Sequence, residues 1–183
     1  TYSEWANSLF AQGPVDMGGR FGGNTPFVST CQDCHMPVVD EDTPIANTLG
    51  RPRDKVSRHT FVGGNFFMMR VLNKYRHELG VEALPEEFDA AAARTIEHLK
   101  SETAQISIDN IDSVGGRLVA DITVRNQGGH KFPTAYPSRR AWLHVTVKDR
   151  TGRAFFESGA FNPNGSITGN DNDADPAKFE PHY

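Results

Sequence analysis

The chain has 183 residues, enough for one sizeable core or two small ones. Its 19 Lys and Arg against 23 Asp and Glu leave a formal net charge of -4, which argues against a nucleic-acid binder, since such proteins carry a basic excess or stripe. Apolar residues make up 37%, and the longest apolar runs, such as 66–69, are far too short for a membrane span.

Residues 2–11 place Trp5 and Leu9 four apart with Tyr2 and Phe10 nearby, which predicts a short amphipathic helix. Thr1 leads straight into Tyr2-Ser3-Glu4-Trp5, as expected of a processed chain or a piece of a longer one. From 12 to 30, Gly13-Pro14, Gly18-Gly19 and Gly22-Gly23-Asn24 are turn signals and predict a long wrapped loop. A second loop, 38–58, carries Pro44 and Pro52 and has no clear period. Loops this long are uncommon in a compact domain unless something else supplies the core, and a buried prosthetic group is one such thing. Asn65 is placed to cap a helix through Phe66, Met69, Leu72, Tyr75 and Leu79, stopped by Gly80. Pro85, followed by Glu86 and Glu87, opens another helix, with Phe88, Ala92, Ile96 and Leu99 at helical spacing to about Ser101.

After Thr103 the period changes from about 3.6 to 2. Ile106 and Ile108 alternate with polar neighbours, Gly115-Gly116 marks a turn, and Leu118, Ala120, Ile122 and Val124 continue on a second strand. Ala141, Leu143, Val145 and Val147 predict a third strand, and 153–158 a fourth after the turn 149–152. The expected fold class is therefore α+β. A helical and loop-rich part over 1–103 precedes a small antiparallel, β-sandwich-like part over 104–183 that ends in a loop.

Both cysteines fall in one pentapeptide, Cys31-Gln32-Asp33-Cys34-His35. A disulfide between them would close only a tiny loop and constrain the unfolded chain little. Cys-x-x-Cys-His is the attachment sequence of c-type haem: the thiols form thioethers to the porphyrin vinyl groups, and the adjacent imidazole ligates iron from the proximal side. Two rivals stand beside that reading. A redox dithiol expects a thioredoxin-like βαβ context, whereas the surroundings here are loop and helix. A zinc site using Cys31, Cys34, His35 and one more histidine usually brings a second ligand pair.

The segment Ser29-Thr30-Cys31-Gln32-Asp33-Cys34-His35-Met36-Pro37 resembles the CxxCHMP sites of multihaem cytochromes c. Tyr2-Ser3-Glu4-Trp5-Ala6-Asn7-Ser8 resembles the helix that often precedes such a site, and Arg58-His59-Thr60-Phe61-Val62-Gly63-Gly64-Asn65 resembles the family's HxFxGGN element. Gly129-His130-Lys131-Phe132-Pro133-Thr134 resembles its GHKxPT segment, with a strand after it. The resemblance implies haem c held by Cys31, Cys34 and His35, electron transfer as the function, and a periplasmic or extracellular location, because the family matures after export. This chain has a single CxxCH where the family usually has several. It is then either one domain of a longer cytochrome or a single-haem relative.

The second axial position has several candidates. His59 is the first expectation, because Phe61, Gly63 and Gly64 beside it allow close approach to a flat macrocycle. His130 sits in a Gly-Gly-His loop fixed by Pro133, and His182 belongs to Phe179-Glu180-Pro181-His182-Tyr183, which resembles a family element. His77, His98 and His144 read as exposed, Met36 as pointing elsewhere, and Met68 and Met69 as helix core, so bis-His ligation is expected over His/Met. One haem has one distal position. If two of His59, His130 and His182 are ligands, the surplus serves iron on another segment or chain, which implies neighbouring haem-bearing chains, a homo-oligomer or a filament, besides a redox partner.

Two weaker signals remain. Asp171, Asp173 and Asp175 are spaced like the first half of a calcium loop. Pro176 stands where glycine is expected and His182 where glutamate is, so a solvated acidic loop is the default and calcium the alternative. Lys131, Arg139 and Arg140 read equally as partners for haem propionates and as an exposed strand-edge cluster. Besides an electron carrier, the sequence admits a domain of a multihaem oxidoreductase acting on a small nitrogen or sulfur compound, and a β module with no redox role.

Overall fold

The computed structural model describes residues 1–168 except 23, 137, 138 and 165. His182 and the acidic run through Asp171, Asp173 and Asp175 lie outside the described residues. The chain forms two compact units, the first Thr1–Thr134 and the second beginning at Ala135. The division thus falls after Thr134 rather than near 103. The first predicted β-hairpin contacts the helix before it and belongs with the helical part.

In the first unit, α1 (Tyr2–Ala6) is shorter than the expected helix and gives way to a 3₁₀ turn, Leu9–Ala11. The break comes where the Asn7 side chain turns back to the Ser3 carbonyl and the Ser8 hydroxyl to that of Trp5. The glycine-rich stretch is not a loop but an antiparallel ribbon, β1 (Val15–Phe21) with β2 (Thr25–Val28). Gly18 and Gly19 adopt positive φ inside β1, where the register shifts, so glycine here marks a bulge instead of a strand end.

A five-residue helix, α2 (Cys31–His35), follows at once. Thr30 caps it: its hydroxyl accepts from the Asp33 N–H, while the Asp33 carboxylate accepts from the Ser29 and Thr30 N–H groups. The second long loop closes on itself, with the Arg58 N–H donating to the Pro37 carbonyl at 2.9 Å and Val39 to Val56 at 2.9 Å. A two-residue ladder, β3 (Thr43–Pro44) with β4 (Pro52–Arg53), ties its middle.

Asn65 caps α3 (Phe66–Lys74) by accepting from the Met68 N–H, as expected, but the helix stops five residues before Leu79 and a turn carries the chain to Gly80. α4 (Pro85–Ser101) has Pro85 in its first turn and Glu87 accepting from the Leu84 N–H at 2.8 Å. α3 packs on α4, and Met69 lies against Thr95, its sulfur 4.0 Å from the hydroxyl. The buried apolar residues among those described are Phe21, Val28 and Ala92. That core is small.

β5 (Ala104–Val114) and β6 (Arg117–Asn126) form the predicted hairpin, turning on Gly115 and Gly116, both at positive φ. Ile106 pairs with Val124 and Ile108 with Ile122, so the expected apolar face exists, yet Ile106 is 64% exposed and Ile108 62%.

In the second unit, β7 (Val145–Lys148) pairs with β8 (Ala154–Ser158) across a turn in which Asp149 Oδ1 accepts from the Thr151 and Arg153 N–H groups. The third predicted strand is shortened: 141–144 lies beside the end of β8 with Trp142 Nε1 donating to the Gly159 carbonyl at 2.8 Å, without a ladder. The class is mixed α and β. Among the described residues the strands pair as four two-stranded antiparallel ribbons, and none of these joins another into a sandwich sheet. No described helix is long and apolar enough to cross a membrane.

Candidate functional site

Helix α2 carries Cys31, Cys34 and His35 at i, i+3 and i+4, a spacing that sets all three on one side of the helix. They line a cavity of about 320 Å³ in the first unit, within the roughly 300–1,000 Å³ of small-molecule sites. The rest of the wall is largely aromatic: Tyr2, Trp5, Phe10, Phe21 and Phe132. Two more histidines, His98 and His130, complete it.

The helix is seated by a glycine. Gly22 lies at φ +63, and a Cβ there would sit 2.0 Å from the Asp33 carbonyl oxygen. Trp5 Nε1 donates to the Ser29 carbonyl at 2.8 Å and so fixes α1 over the approach to α2.

The ring of His35 is held through Nδ1 by the Val62 carbonyl, while the Val62 N–H donates to the His35 carbonyl at 3.0 Å. A carbonyl can only accept, so Nδ1 carries the proton and, in the neutral ring, Nε2 keeps a free lone pair. The same logic applies to His130, whose Nδ1 lies 3.0 Å from the Lys131 carbonyl, and to His98, whose Nδ1 lies 2.9 Å from the Glu102 carboxylate. Three imidazoles are thus oriented through Nδ1 with Nε2 available. Burial holds His35 below the ordinary histidine range, against the Val62 bond and with help from His98 and His130, which keeps its ring neutral at physiological pH.

The His35 and His130 rings are nearly parallel, 4° between planes and 6.2 Å between centroids. Two imidazoles bound about 2 Å from one metal on opposite sides have centroids about 6 Å apart. The two rings therefore lie close enough on one cavity wall for a single bound group to be held by both, with the two thiols on the same wall. His98 lies 6.1 Å from His35 but tilted by 55°, with its other flank 6.1 Å from Phe21.

The loop bearing His130 is clamped to α1. Glu4 accepts from the Lys131 N–H at 3.2 Å and the Thr134 hydroxyl at 2.6 Å, and its other oxygen lies 3.4 Å from the Lys131 ammonium. The Thr134 hydroxyl, more than any other group, holds the Glu4 carboxyl below its ordinary range. Gly129 allows the approach, since a Cβ there would come within 3.0 Å of the Phe10 ring. Lys131, expected near propionates, is engaged with Glu4 instead.

Burial, aided by the charges of Asp33, Cys31 and Glu102, pushes the Cys34 thiol up to about 11. A redox-active CxxC cysteine needs the opposite shift. Among the described residues no three His, Cys, Asp or Glu side chains form a metal-holding group, which leaves the zinc reading without its ligand set. Haem iron takes only two protein ligands.

The first choice of distal ligand lies away from this cavity. His59 is exposed, is not part of the cavity wall, and rests its ring 5.8 Å from Phe61. Its segment reaches the site through Val62, two residues past the threonine that follows it. His98, read as exposed, has a side chain only 11% exposed on the cavity wall. Its helix does signal this: buried Ala92 and Thr95 are followed at the same three-residue step by His98. His144 pairs with Glu157 at 2.9 Å in the second unit, and His77 is exposed.

No family model, curated protein or solved structure matches the chain.

Proposed function

We propose that this chain is a c-type cytochrome, an electron-transfer protein that carries one haem on Cys31 and Cys34 with His35 and His130 as axial ligands. The observation that carries this reading is the convergence of the CxxCH helix and the His130 loop on one aromatic cavity, with both Nε2 atoms unencumbered. The group supplies one-electron chemistry at iron when bound. The chain's residues attach it, orient it and keep water from it. Val62 and the Lys131 carbonyl fix the two imidazoles, Glu4 keeps the His130 loop closed, and Trp5, Phe10, Phe21 and Phe132 give the low-dielectric wall. Two imidazole ligands set a lower potential than a histidine–methionine pair. Met69 supports that choice, being engaged with Thr95 in the helix pair.

The reading implies a periplasmic or extracellular protein, resemblance to multihaem cytochromes c, and redox partner proteins or neighbouring haem-bearing chains. His59, outside the cavity, and His182, outside the described residues, are the histidines left for a neighbouring haem in an assembly, a role that the spectrum of the isolated chain does not report. Intact mass and a pyridine haemochrome assay test the proposal. One haem per chain that survives acid-acetone extraction is expected, and a mass equal to the bare polypeptide in protein from its native source overturns it.

A further inference from the structure

The β5–β6 hairpin has two unlike edges. β5 is interrupted between Asp109 and Asp112, where three steps along β5 face two along β6 and Asn110 takes a positive φ. That bulge bends the β5 edge, and β5 carries Asp109 and Asp112 but no Lys or Arg, so it offers no cation to a second β5 edge. β6 has neither the extra residue nor a proline, and every residue in it but Ile122 is exposed. Among the described residues β6 pairs with β5 alone, which leaves a row of N–H and C=O groups unpaired along its outer edge.

The side chains of β6 are complementary to a second β6. Asp121 and Arg125 lie on one face of the strand, so in an antiparallel pair centred on Thr123 each Asp121 stands opposite Arg125 of the second copy. The same register sets Ile122 opposite Val124 on the apolar face and Thr123 opposite Thr123, over 120–126. A pair centred on Val119 sets Arg117 against Asp121 but overlaps only over 117–121 within the strand. Both charges are available. Among the described residues the Arg125 guanidinium has no hydrogen-bond or ion-pair partner, and Asp121 engages one oxygen, Oδ2, with the Asn110 amide at 2.8 Å. We propose that two copies of this chain associate by antiparallel pairing of their β6 edges in the Thr123-centred register, giving a four-stranded sheet with β5 at either end. The operator is a two-fold axis and each β6 has one free edge, so the contact closes as a dimer. Its area is small, which makes the association weak and concentration-dependent. The contact does not rest on the haem reading.

Sedimentation velocity of the whole protein at rising concentration, up to about 1 mM, tests this. A monomer–dimer equilibrium is expected. Arg125→Glu and Asp121→Arg should each weaken it about tenfold or more, because like charges then stand opposite each other twice, and combining the two substitutions should restore it. Arg117→Glu makes the same change in net charge as Arg125→Glu outside the overlap and should leave the equilibrium unchanged. In the wild type, hydrogen exchange of backbone N–H groups in 120–126 should slow as the dimer forms. The proposal is overturned by a chain that stays monomeric throughout, by a dimer that either single reversal leaves intact or that the combined variant fails to restore, by an effect of Arg117→Glu equal to that of Arg125→Glu, or by exchange in 120–126 that does not change with concentration.

Discussion

Gly22→Ala separates steric from conformational control of the CxxCH helix. At φ +63 an alanine meets the left-handed penalty of roughly 1–2 kcal/mol that glycine escapes. Its Cβ would also be placed 2.0 Å from the Asp33 carbonyl oxygen, a distance no real Cβ tolerates, so α2 or the turn before β2 must move. Overpacking of that kind adds about 1–3 kcal/mol. The shift also pulls on the Gly22 carbonyl, which accepts from the Thr25 hydroxyl at 3.0 Å and the Val38 N–H at 3.1 Å. The expected loss is about 2–5 kcal/mol in urea unfolding followed by circular dichroism. Gly18→Ala is the control: its φ is +61, but nothing lies within 4 Å of the added Cβ, so only the conformational part, about 1–2 kcal/mol, is lost. If the two variants lose the same stability, the close approach of Gly22 to α2 is not a constraint and the reasoning fails.

Three further outcomes are expected. His130→Ala should convert a low-spin haem spectrum to one that binds carbon monoxide or shows a substitute ligand, whereas His59→Ala should leave the spectrum unchanged; a high-spin shift in His59→Ala alone would reverse the assignment. Glu4 is held below its ordinary 4.5, so its stabilising contacts are complete above that value and are lost as pH falls through the lower folded one. Melting temperatures of wild type and Glu4→Gln should therefore differ at neutral pH and converge in acid. In haem-free Cys31→Ser protein, Cys34, at about 11, should react with iodoacetamide about a hundredfold more slowly than a free thiol at neutral pH, with the difference closing in alkali.

The local setting of the two cysteines was legible because a few neighbouring residues fix it. CxxCH is five consecutive residues, and its helix is capped by the residue just before it. The capping signals at Asn65 and Pro85 and the period-2 strands around Gly115-Gly116 were legible for the same reason. Which histidines share the cavity with the cysteines was not, because that is decided by contacts far apart in sequence. His59 has the small and aromatic neighbours of a ligand, yet those neighbours serve to bring Val62 onto His35. Gly18 and Gly19 read as loop because turn and bulge make the same demand on φ, and only the pairing of Val15 with Val28 tells them apart. The sandwich expectation rests on alternation, which establishes an apolar face but not what covers it, and Ile106 and Ile108 lie on that face, 64% and 62% exposed.

The two halves of the proposed iron site differ in when they can form. The proximal half needs only α2, its Thr30 cap and the turn at Gly22, all within a short stretch of chain. The distal half needs Glu4 to meet Lys131 and Thr134, and Thr1 to meet Thr134 at 3.0 Å, contacts 127 to 133 residues apart. Closing loops of that length is entropically slow compared with forming one capped helix. If haem is attached as proposed, its attachment to the thiols would need only the first half, and the clamp through Glu4 would hold His130 at the cavity. With Phe21, Val28 and Ala92 as the buried apolar residues among those described, the aromatic side chains of the first unit line a space more than they fill one, and a group bound there as proposed would become part of what the fold packs against.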